Sequence, residues 1–283
     1  MVAPLLSPGL PRRLLPFAVF LTAFSIVMMI LFMSMDIKAL KHREQFNFSQ
    51  DLDFHTVAQD NPQFIAYIRA IHLQLPPVFR NTADNASHIM NALPQNKLVA
   101  RLLGYKKGGV FVEAGAYQHG RPSDTEWLEL ALGWHGLLVQ PDPRDFLVLQ
   151  RQRRHKALSV HACLSPTSYP KEVTFRQVPS MDDQTVRAQA TFTRVKCFPL
   201  FSLLLAANMT TADFLSLHAE GAEMQVLKTL PFDQVRIEII SVDRHRLNED
   251  SALVAFMVAR SYKLVEVMNT CYIFKKENVN VLL

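Results

Sequence analysis

The chain has 283 residues, of which 49% are hydrophobic, enough for one large domain with a substantial core and additional segments. Its formal net charge is +5, but it carries no nucleic-acid-binding motif, so we do not expect nucleic acid as a partner. The ten histidines lack metal-binding spacing and the three cysteines form no CxxC, so we expect neither a metal site nor a redox motif.

The first part of the chain combines a proline-containing stretch with a long apolar run. Residues 1–13 include Pro4, Pro8 and Pro11, which argue against regular structure, and we expect a short cytosolic tail there. Residues 14–35 are 22 uncharged, mainly apolar residues, and a helix needs roughly 20 to cross a bilayer. A cleaved signal peptide is the alternative, but its apolar core spans about 7–15 residues and ends at small residues. We therefore expect a retained transmembrane anchor.

The charges around this run do not decide its orientation, because basic residues flank both ends. These residues are Arg12, Arg13, Lys38, Lys41 and Arg43. Three acceptor motifs for N-glycosylation follow the run, at Asn47, Asn85 and Asn208. They favour a type II membrane protein whose C-terminal part is lumenal.

Residues 36–103 are predicted to form a stem and a helical cap. Residues 36–60 are polar and mixed in composition. Residues 61–75 predict a helix, with Pro62 in its first turn and apolar residues spaced along one face. A second helical stretch covers about 86–103 and is broken near Pro94. We expect residues 61–103 to pack on the domain that follows.

From Gly109 onwards, short apolar runs alternate with helical patterns. Ser123, with Glu126 three residues later, predicts a capping box at the start of the first helix. The other predicted helices are 142–153, 199–208, 222–230 and 250–261, and the predicted strands are 110–112, 137–140, 158–164, 172–178, 214–218, 236–242, 263–268 and 272–276. This alternation predicts a doubly wound, mostly parallel α/β sheet of the Rossmann type over residues 104–283, with a hairpin at one edge.

The densest basic run lies at the end of the helix predicted over 142–153. It comprises Arg151, Arg153, Arg154, His155 and Lys156. The simpler interpretation is the cationic end of a helix, which the helix dipole favours. The alternative is a surface for an anionic partner or for acidic lipids.

Three motifs resemble the FkbM-type methyltransferase family, and more closely its animal branch, which includes the membrane protein Star. The family motifs read close to VEAGALDGE, LLVEPDP and LSLDVEGAE. This chain reads VEAGAYQHG from Val112, LLVQPDP from Leu137 and LSLHAEGAE from Leu215. Gln118, Gly120, Gln140 and His218 therefore stand where the family has acids. The resemblance covers about residues 104–276.

The resemblance implies a class I methyltransferase fold and a type II membrane topology. It also implies a Star-like role, in which the protein escorts membrane-bound cargo from the endoplasmic reticulum to the Golgi, with the plasma membrane as a further location. Because several acids are replaced, we expect catalysis to be lost and no cofactor to bind. The alternative is a working O-methyltransferase that uses S-adenosylmethionine on a lumenal glycan or small substrate. A membrane-tethered binding module without a cargo role is a third possibility.

Six residues at predicted strand ends are the candidates for cofactor contacts, because doubly wound sheets bind ligands there. They are Glu113, Gly115, Gln140, Asp142, His218 and Glu220. Glu113 is suited to accept from the amino acid part of S-adenosylmethionine, and Gly115 permits close approach or a tight turn. Gln140 lacks the charge that would hold ribose hydroxyls. Asp142 can substitute, although it is also a predicted helix N-cap.

His218 and the two glutamates after it have two interpretations. A His218–Glu220 pair could perform acid–base chemistry if both side chains shared a face. We favour the simpler alternative, in which Glu220 is a helix N-terminal acid and Glu223 faces solvent. The family pattern also carries Cys163 and Cys197, which implies a disulfide between them with Cys271 free. Two buried thiols are the alternative.

Overall fold

The computed structural model describes Phe20 and residues 22–30, 57–76, 93–116, 122–152, 154–177, 191–244 and 250–277. It divides the chain into two units, residues 1–52 and residues 53–283. In the first unit, residues 22–30 are helical and their side chains are exposed. Within the described residues, no helix is both long and apolar enough to cross a membrane. Most of the predicted anchor at 14–35, and the stem up to residue 56, lie outside the described residues.

The second unit is an α/β domain whose elements alternate along the chain. The helices are α1 (Pro62–Tyr67), α2 (Pro94–Leu102), α3 (Glu126–Leu132), α4 (Pro143–Arg151), α5 (Leu200–Ala207), α6 (Glu223–Thr229) and α7 (Asp250–Val258). The strands are β1 (Leu73–Gln74), β2 (Val110–Ala114), β3 (His135–Gln140), β4 (Ala157–His161), β5 (Cys163–Leu164), β6 (Lys171–Gln177), β7 (Thr191–Phe198), β8 (Thr211–Leu217), β9 (Arg236–Asp243), β10 (Tyr262–Val267) and β11 (Cys271–Lys276). A π-helical turn, Ile68–His72, follows α1.

The described strands form a large sheet in the order β1-β4-β3-β2-β8-β9-β11-β10. The five strands from β4 to β9 are parallel. Strand β11 inserts antiparallel between β9 and β10. This order is that of the methyltransferase-like Rossmann fold, which confirms the predicted α/β class. A smaller sheet, β5-β7-β6, lies beside it.

The central strands are buried on both faces, as expected for parallel strands covered by helices. Phe111, Leu138 and Phe214, on three neighbouring strands, are at most 1% exposed. Gly136 on β3 has no room for a side chain, because a Cβ there would lie 2.1 Å from the carbonyl oxygen of Phe111. The close approach of β3 to β2 therefore requires glycine at this position.

Residues 57–76 and 93–103 belong to the same compact unit as the sheet. The cap predicted over 61–103 was expected to pack on this domain. However, the helix predicted over 61–75 ends earlier, because Leu73 and Gln74 pair with β4 as an edge strand. Leu75 precedes Pro76, and a residue before proline favours extended backbone. The single strand predicted over 158–164 is also wrong, since β4 and β5 belong to different sheets. Strand β7 was not predicted, although Val195 and Cys197 are buried at alternate positions along it.

The predicted capping box at Ser123 is wrong as well. Thr125 is the N-cap of α3, and no side-chain hydrogen bond caps that helix. The Ser123 hydroxyl donates instead to the Glu113 carboxylate at 2.6 Å. In contrast, Asp142 caps α4 as predicted, since its side chain accepts from the backbone N–H groups of Arg144 and Asp145.

Candidate functional site

A cleft opens where the carboxyl ends of β2, β3, β4 and β8 meet. Its volume is about 270 Å³, and small apolar side chains form most of its walls. Strand β2 has β3 on one side and β8 on the other, so the cleft lies where the strand order reverses. Doubly wound folds bind their ligands at this switch point. Among the predicted site residues, Gly115, His218 and Glu220 line the cleft.

Gly115 forms the turn that leaves β2. Its φ angle is 84°, a left-handed conformation that glycine adopts without steric cost. Its backbone N–H donates to the carbonyl of Val139 at 2.8 Å and ties β2 to β3. Gly115 therefore serves the tight turn, and its N–H is already used within the protein. Residues 117–121, including Gln118 and Gly120, lie outside the described residues.

Glu113 is 1% exposed and does not line the cleft. Its carboxylate accepts from the Ser123 hydroxyl at 2.6 Å, the Asp124 backbone N–H at 2.9 Å and the Thr125 hydroxyl at 2.5 Å. Burial raises the pKa of Glu113, and the nearby Asp124 carboxylate raises it further, while Arg154 lowers it. The structure therefore places Glu113 as the anchor of the loop between β2 and α3.

Arg154 completes this buried polar network. Its guanidinium donates to Glu129 at 2.6 Å, to the Ser123 hydroxyl at 2.8 Å and to the Thr125 hydroxyl at 2.9 Å. The Arg154 and Glu129 side chains are only 3% and 2% exposed. Both interpretations of the basic run are thus wrong for Arg154, because its charge is neutralised inside the domain. Sequence reasoning placed Arg154 in the basic run but missed this buried role, because its partners lie 25 to 31 residues away along the chain.

Gln140 is fully buried at the end of β3 and bridges two turns. Its amide nitrogen donates to the carbonyl of Ala116, and its amide oxygen accepts from the Asp142 backbone N–H at 2.9 Å. A glutamate at this position could accept the second bond but could not donate the first. Gln140 therefore holds the turns after β2 and β3 together, and both ends of its amide are used.

His218 lies between two carboxylates at the end of β8. Its Nε2 is 2.7 Å from an Asp124 oxygen. Its Nδ1 is 3.4 Å from an Asp243 oxygen, an ion pair without good hydrogen-bond geometry. The Ser216 hydroxyl also donates to Asp124, at 2.8 Å. The three charged side chains are at most 13% exposed, so the cluster is a buried imidazole held between two acids at the end of β8.

The two carboxylates keep His218 charged. Burial lowers the pKa of His218, but its contacts with Asp124 and Asp243 outweigh burial and raise the pKa to about 10. At neutral pH the side chain is therefore an imidazolium. One imidazolium with two carboxylates leaves the cluster with a net charge of −1.

The two glutamates after His218 lie in different environments. Glu220 is exposed, lines the cleft and has a φ angle of 51°. Glu223 is 2% exposed, and it accepts from the backbone N–H groups of Ala219 at 2.7 Å and Gly221 at 3.0 Å. The prediction that Glu223 faces solvent is therefore wrong, because its carboxylate stabilises the turn between β8 and α6.

The charged cluster around His218 includes two acids that sequence analysis did not single out. Asp243 ends β9, directly beside the strand that carries His218. Asp124 comes from the loop after β2, 94 residues before His218. Asp243 directly follows the strand predicted over 236–242. A polar residue at such a strand end is a sequence signal for a site residue, and it could have identified Asp243. Within the described part of the chain, no group of three or more His, Cys, Asp or Glu residues is placed to hold a metal ion.

The predicted disulfide is present and borders the cleft. Cys163 on β5 is bonded to Cys197 on β7, with their Cα atoms 4.2 Å apart. The two residues are register partners in the small sheet. Cys271 is a free, buried thiol, so both parts of the prediction are confirmed. The bond links two neighbouring strands of the small sheet, and both cysteines line the cleft.

No protein-family profile matches the sequence, and no curated protein is significantly similar to it. Solved structures similar to this chain include a putative RNA methyltransferase from Pyrococcus horikoshii (TM-score 0.35, 11% identity, 76% of this chain and 98% of that one). A precorrin-6y C5,15-methyltransferase from Geobacter metallireducens has a TM-score of 0.39 at 11% identity, over 69% and 92% of the two chains. The N-terminal domain of human METTL16 in complex with SAH has a TM-score of 0.32 at 12% identity, over 81% and 92%. At these scores, the fold assignment rests on the strand order of the chain itself.

Proposed function

We propose that this chain is a single-pass membrane protein whose lumenal methyltransferase-like domain has lost catalysis. In this proposal the domain binds membrane-bound cargo proteins and escorts them from the endoplasmic reticulum to the Golgi. The resemblance to the Star-like branch supports the cargo role and the location. The observation that carries the loss of catalysis is His218, which stands in place of a strand-end acid and uses Asp124 and Asp243 as its own counter-ions.

The described residues do not fit S-adenosylmethionine at the end of β3. The ribose hydroxyls need an acceptor there, and a carboxylate gives bonds roughly twice as strong as a neutral group. Gln140 uses its oxygen for the Asp142 N–H and its nitrogen for Ala116. Asp142 accepts from the first backbone N–H groups of α4. If Gln140 or Asp142 turned toward a ribose, the backbone groups that now hydrogen-bond to its side chain would lose their partner.

The fit is also poor at the ends of β2 and β8. The Glu113 carboxylate is buried among three donors and is not available to an ammonium group in the cleft. His218 offers the cofactor no acceptor, because its two ring nitrogens face Asp124 and Asp243. Each lost interaction costs about 1–3 kcal/mol, so a micromolar dissociation constant moves toward the millimolar range.

One observation favours the alternative of an active O-methyltransferase. The cleft lies at the switch point of the sheet, and the exposed carboxylate of Glu220 lines it. The charged cluster of His218, Asp124 and Asp243 has a net charge of −1, so the cleft as a whole does not repel a cation. A cofactor held mainly by Glu220 is the arrangement that this alternative requires.

A calorimetric titration of the full-length protein in detergent with S-adenosylmethionine separates the two functions. We expect no saturable heat at micromolar cofactor concentrations. The matched variant is Glu220→Gln, which keeps the size of the side chain and removes its charge. Micromolar binding by the natural protein that Glu220→Gln abolishes would overturn the proposal in favour of the methyltransferase.

The cargo role is tested in cells that lack the protein. Membrane-anchored glycoproteins that depend on it should stay in the endoplasmic reticulum and keep glycans sensitive to endoglycosidase H. Both the natural chain and Glu220→Gln should restore Golgi processing, because the escort function does not use the cofactor. Unchanged glycan processing across the membrane glycoproteins of cells without the protein would contradict an escort role.

A further inference from the structure

The turn between α5 and β8 contains one of the three N-glycosylation motifs, Asn208-Met209-Thr210. Asn208 is the C-cap of α5, with φ 56° and ψ 41°, and its side chain is exposed. Met209 is 9% exposed and anchors the turn in the core. The other two motifs, at Asn47 and Asn85, lie outside the described residues. Asn208 is thus a potential acceptor whose folded environment the structure defines.

Arg69 holds this turn in place. Its Nε donates to the carbonyl of Ala206 at 2.9 Å, and its Nη2 donates to the carbonyl of Leu205 at 2.9 Å. The same Nη2 donates to the side-chain oxygen of Asn208 at 3.1 Å. N-glycosylation modifies the side-chain nitrogen, Nδ2, and leaves the oxygen as an acceptor. The bond from Arg69 is therefore compatible with a sugar on Asn208.

The left-handed conformation of Asn208 has a simpler explanation that needs no glycan. Asparagine often ends a helix in this conformation, because its short polar side chain lowers the steric penalty. Helix capping explains the asparagine at position 208. It does not explain the hydroxyl of Thr210, which completes the acceptor motif. Thr210 contributes its backbone carbonyl to the sheet, where it accepts from Arg236 N–H at 2.9 Å. A test must therefore separate the C-cap from the acceptor motif.

The disulfide supplies an independent reason to place this domain where N-glycosylation occurs. The bond between Cys163 and Cys197 belongs to the same compact unit as Asn208. Structural disulfides form and persist in oxidising compartments such as the lumen of the endoplasmic reticulum. The enzyme that recognises Asn-x-Thr works in that lumen. The disulfide and the motif thus indicate the same compartment on different chemical grounds.

We propose that Asn208 carries an N-linked oligosaccharide. The donor is an oligosaccharide linked to a polyprenyl diphosphate, and its first sugar carbon forms a bond with Nδ2 of Asn208. The bond from that carbon to the diphosphate oxygen breaks, Nδ2 loses one proton, and the polyprenyl diphosphate leaves. This proposal rests on the lumenal placement that is part of the proposed function.

The position of the glycan leaves the cleft accessible. Asn208 precedes the first residue of β8, whereas His218 follows the last one. The seven residues of β8 span roughly 23 Å at about 3.3 Å per residue. The sugar therefore lies at the amino-terminal end of the parallel strands, and the cleft lies at their carboxyl end. The sugar covers the surface near Arg69 and the end of α5 without blocking a partner at the cleft.

The test expresses the full chain in cells that glycosylate secretory proteins and compares its mass before and after treatment with peptide N-glycosidase. The variant Ser49→Ala with Ser87→Ala removes the other two motifs, so that any remaining shift reports on Asn208. In that background, Thr210→Val should abolish the shift while preserving the Asn208 C-cap. Thr210→Ser is the matched control and should retain the shift, since serine also completes the motif.

Glycopeptide mass spectrometry of the natural chain provides a readout that does not depend on how the variants fold. We expect the peptide containing Asn208 to carry hexose and N-acetylhexosamine. Occupied Asn47 or Asn85 with an unmodified Asn208 would overturn this proposal while leaving the lumenal placement intact. Three unmodified acceptors would overturn both. A shift that survives Thr210→Val would also overturn it, because the sugar would not depend on the motif.

Discussion

Replacing His218 with glutamine should destabilise the domain and change how its stability depends on pH. Glutamine keeps a hydrogen-bond donor near Asp124 but removes the positive charge between Asp124 and Asp243. Removing one partner of a buried ion pair costs about 3–5 kcal/mol, because the remaining charge is left uncompensated. We expect the free energy of unfolding at neutral pH to fall by an amount in this range.

The pH dependence follows from the pKa of His218, about 10 in the folded protein and about 6.5 in an unfolded chain. Because the folded pKa is the higher one, the bound proton stabilises the fold fully below about pH 6.5, and this contribution is lost as the pH rises through about 10. At about 1.4 kcal/mol per unit of pKa difference, the full contribution is roughly 5 kcal/mol. Roughly 2.5 kcal/mol of it disappears between about pH 7 and pH 9.

Urea unfolding of the full-length protein in detergent, followed at both pH values, measures this difference. The natural protein should lose roughly 2.5 kcal/mol more than His218→Gln between about pH 7 and pH 9. His135→Gln is the matched control, since His135 is exposed at the start of β3, and it should behave like the natural protein. Equal losses in the natural protein and in His218→Gln would refute the assignment of a charged His218.

Three further substitutions test the buried network, the disulfide and the packing of the sheet. Arg154→Met should lower the free energy of unfolding by about 3–5 kcal/mol in urea titrations, because it leaves the Glu129 charge unpaired; a loss below about 1 kcal/mol would contradict a buried ion pair. Cys197→Ser should cost roughly 4 kcal/mol under oxidising conditions, since the lost bond closes a loop over a separation of 34 residues, and equal stabilities of the variant and the natural protein under those conditions would contradict this. Gly136→Ala should cost at least about 1–3 kcal/mol in the same assay, because the new Cβ meets the Phe111 carbonyl; a neutral effect would show that β2 and β3 can separate.

The fold class followed from local patterns, because strands and helices bury apolar residues at different spacings. The alternation after Gly109 predicted the parallel sheet and its terminal hairpin, and Asp142 was recognised as a helix cap from its position alone. The pairing of Cys163 with Cys197 was expected from the family resemblance. These features depend on nearby residues or on a recognised motif, so they are accessible without coordinates.

The roles of the polar residues at the strand ends were decided by tertiary contacts. The sequence around Glu113 or Glu223 does not indicate whether the carboxylate faces solvent or accepts hydrogen bonds from buried N–H groups. His218 is charged because the strand order brings Asp243 beside it and the loop after β2 brings Asp124, which lies 94 residues away. The pKa of a buried group depends on the distances to such neighbours, and only the folded chain brings those neighbours within a few ångströms.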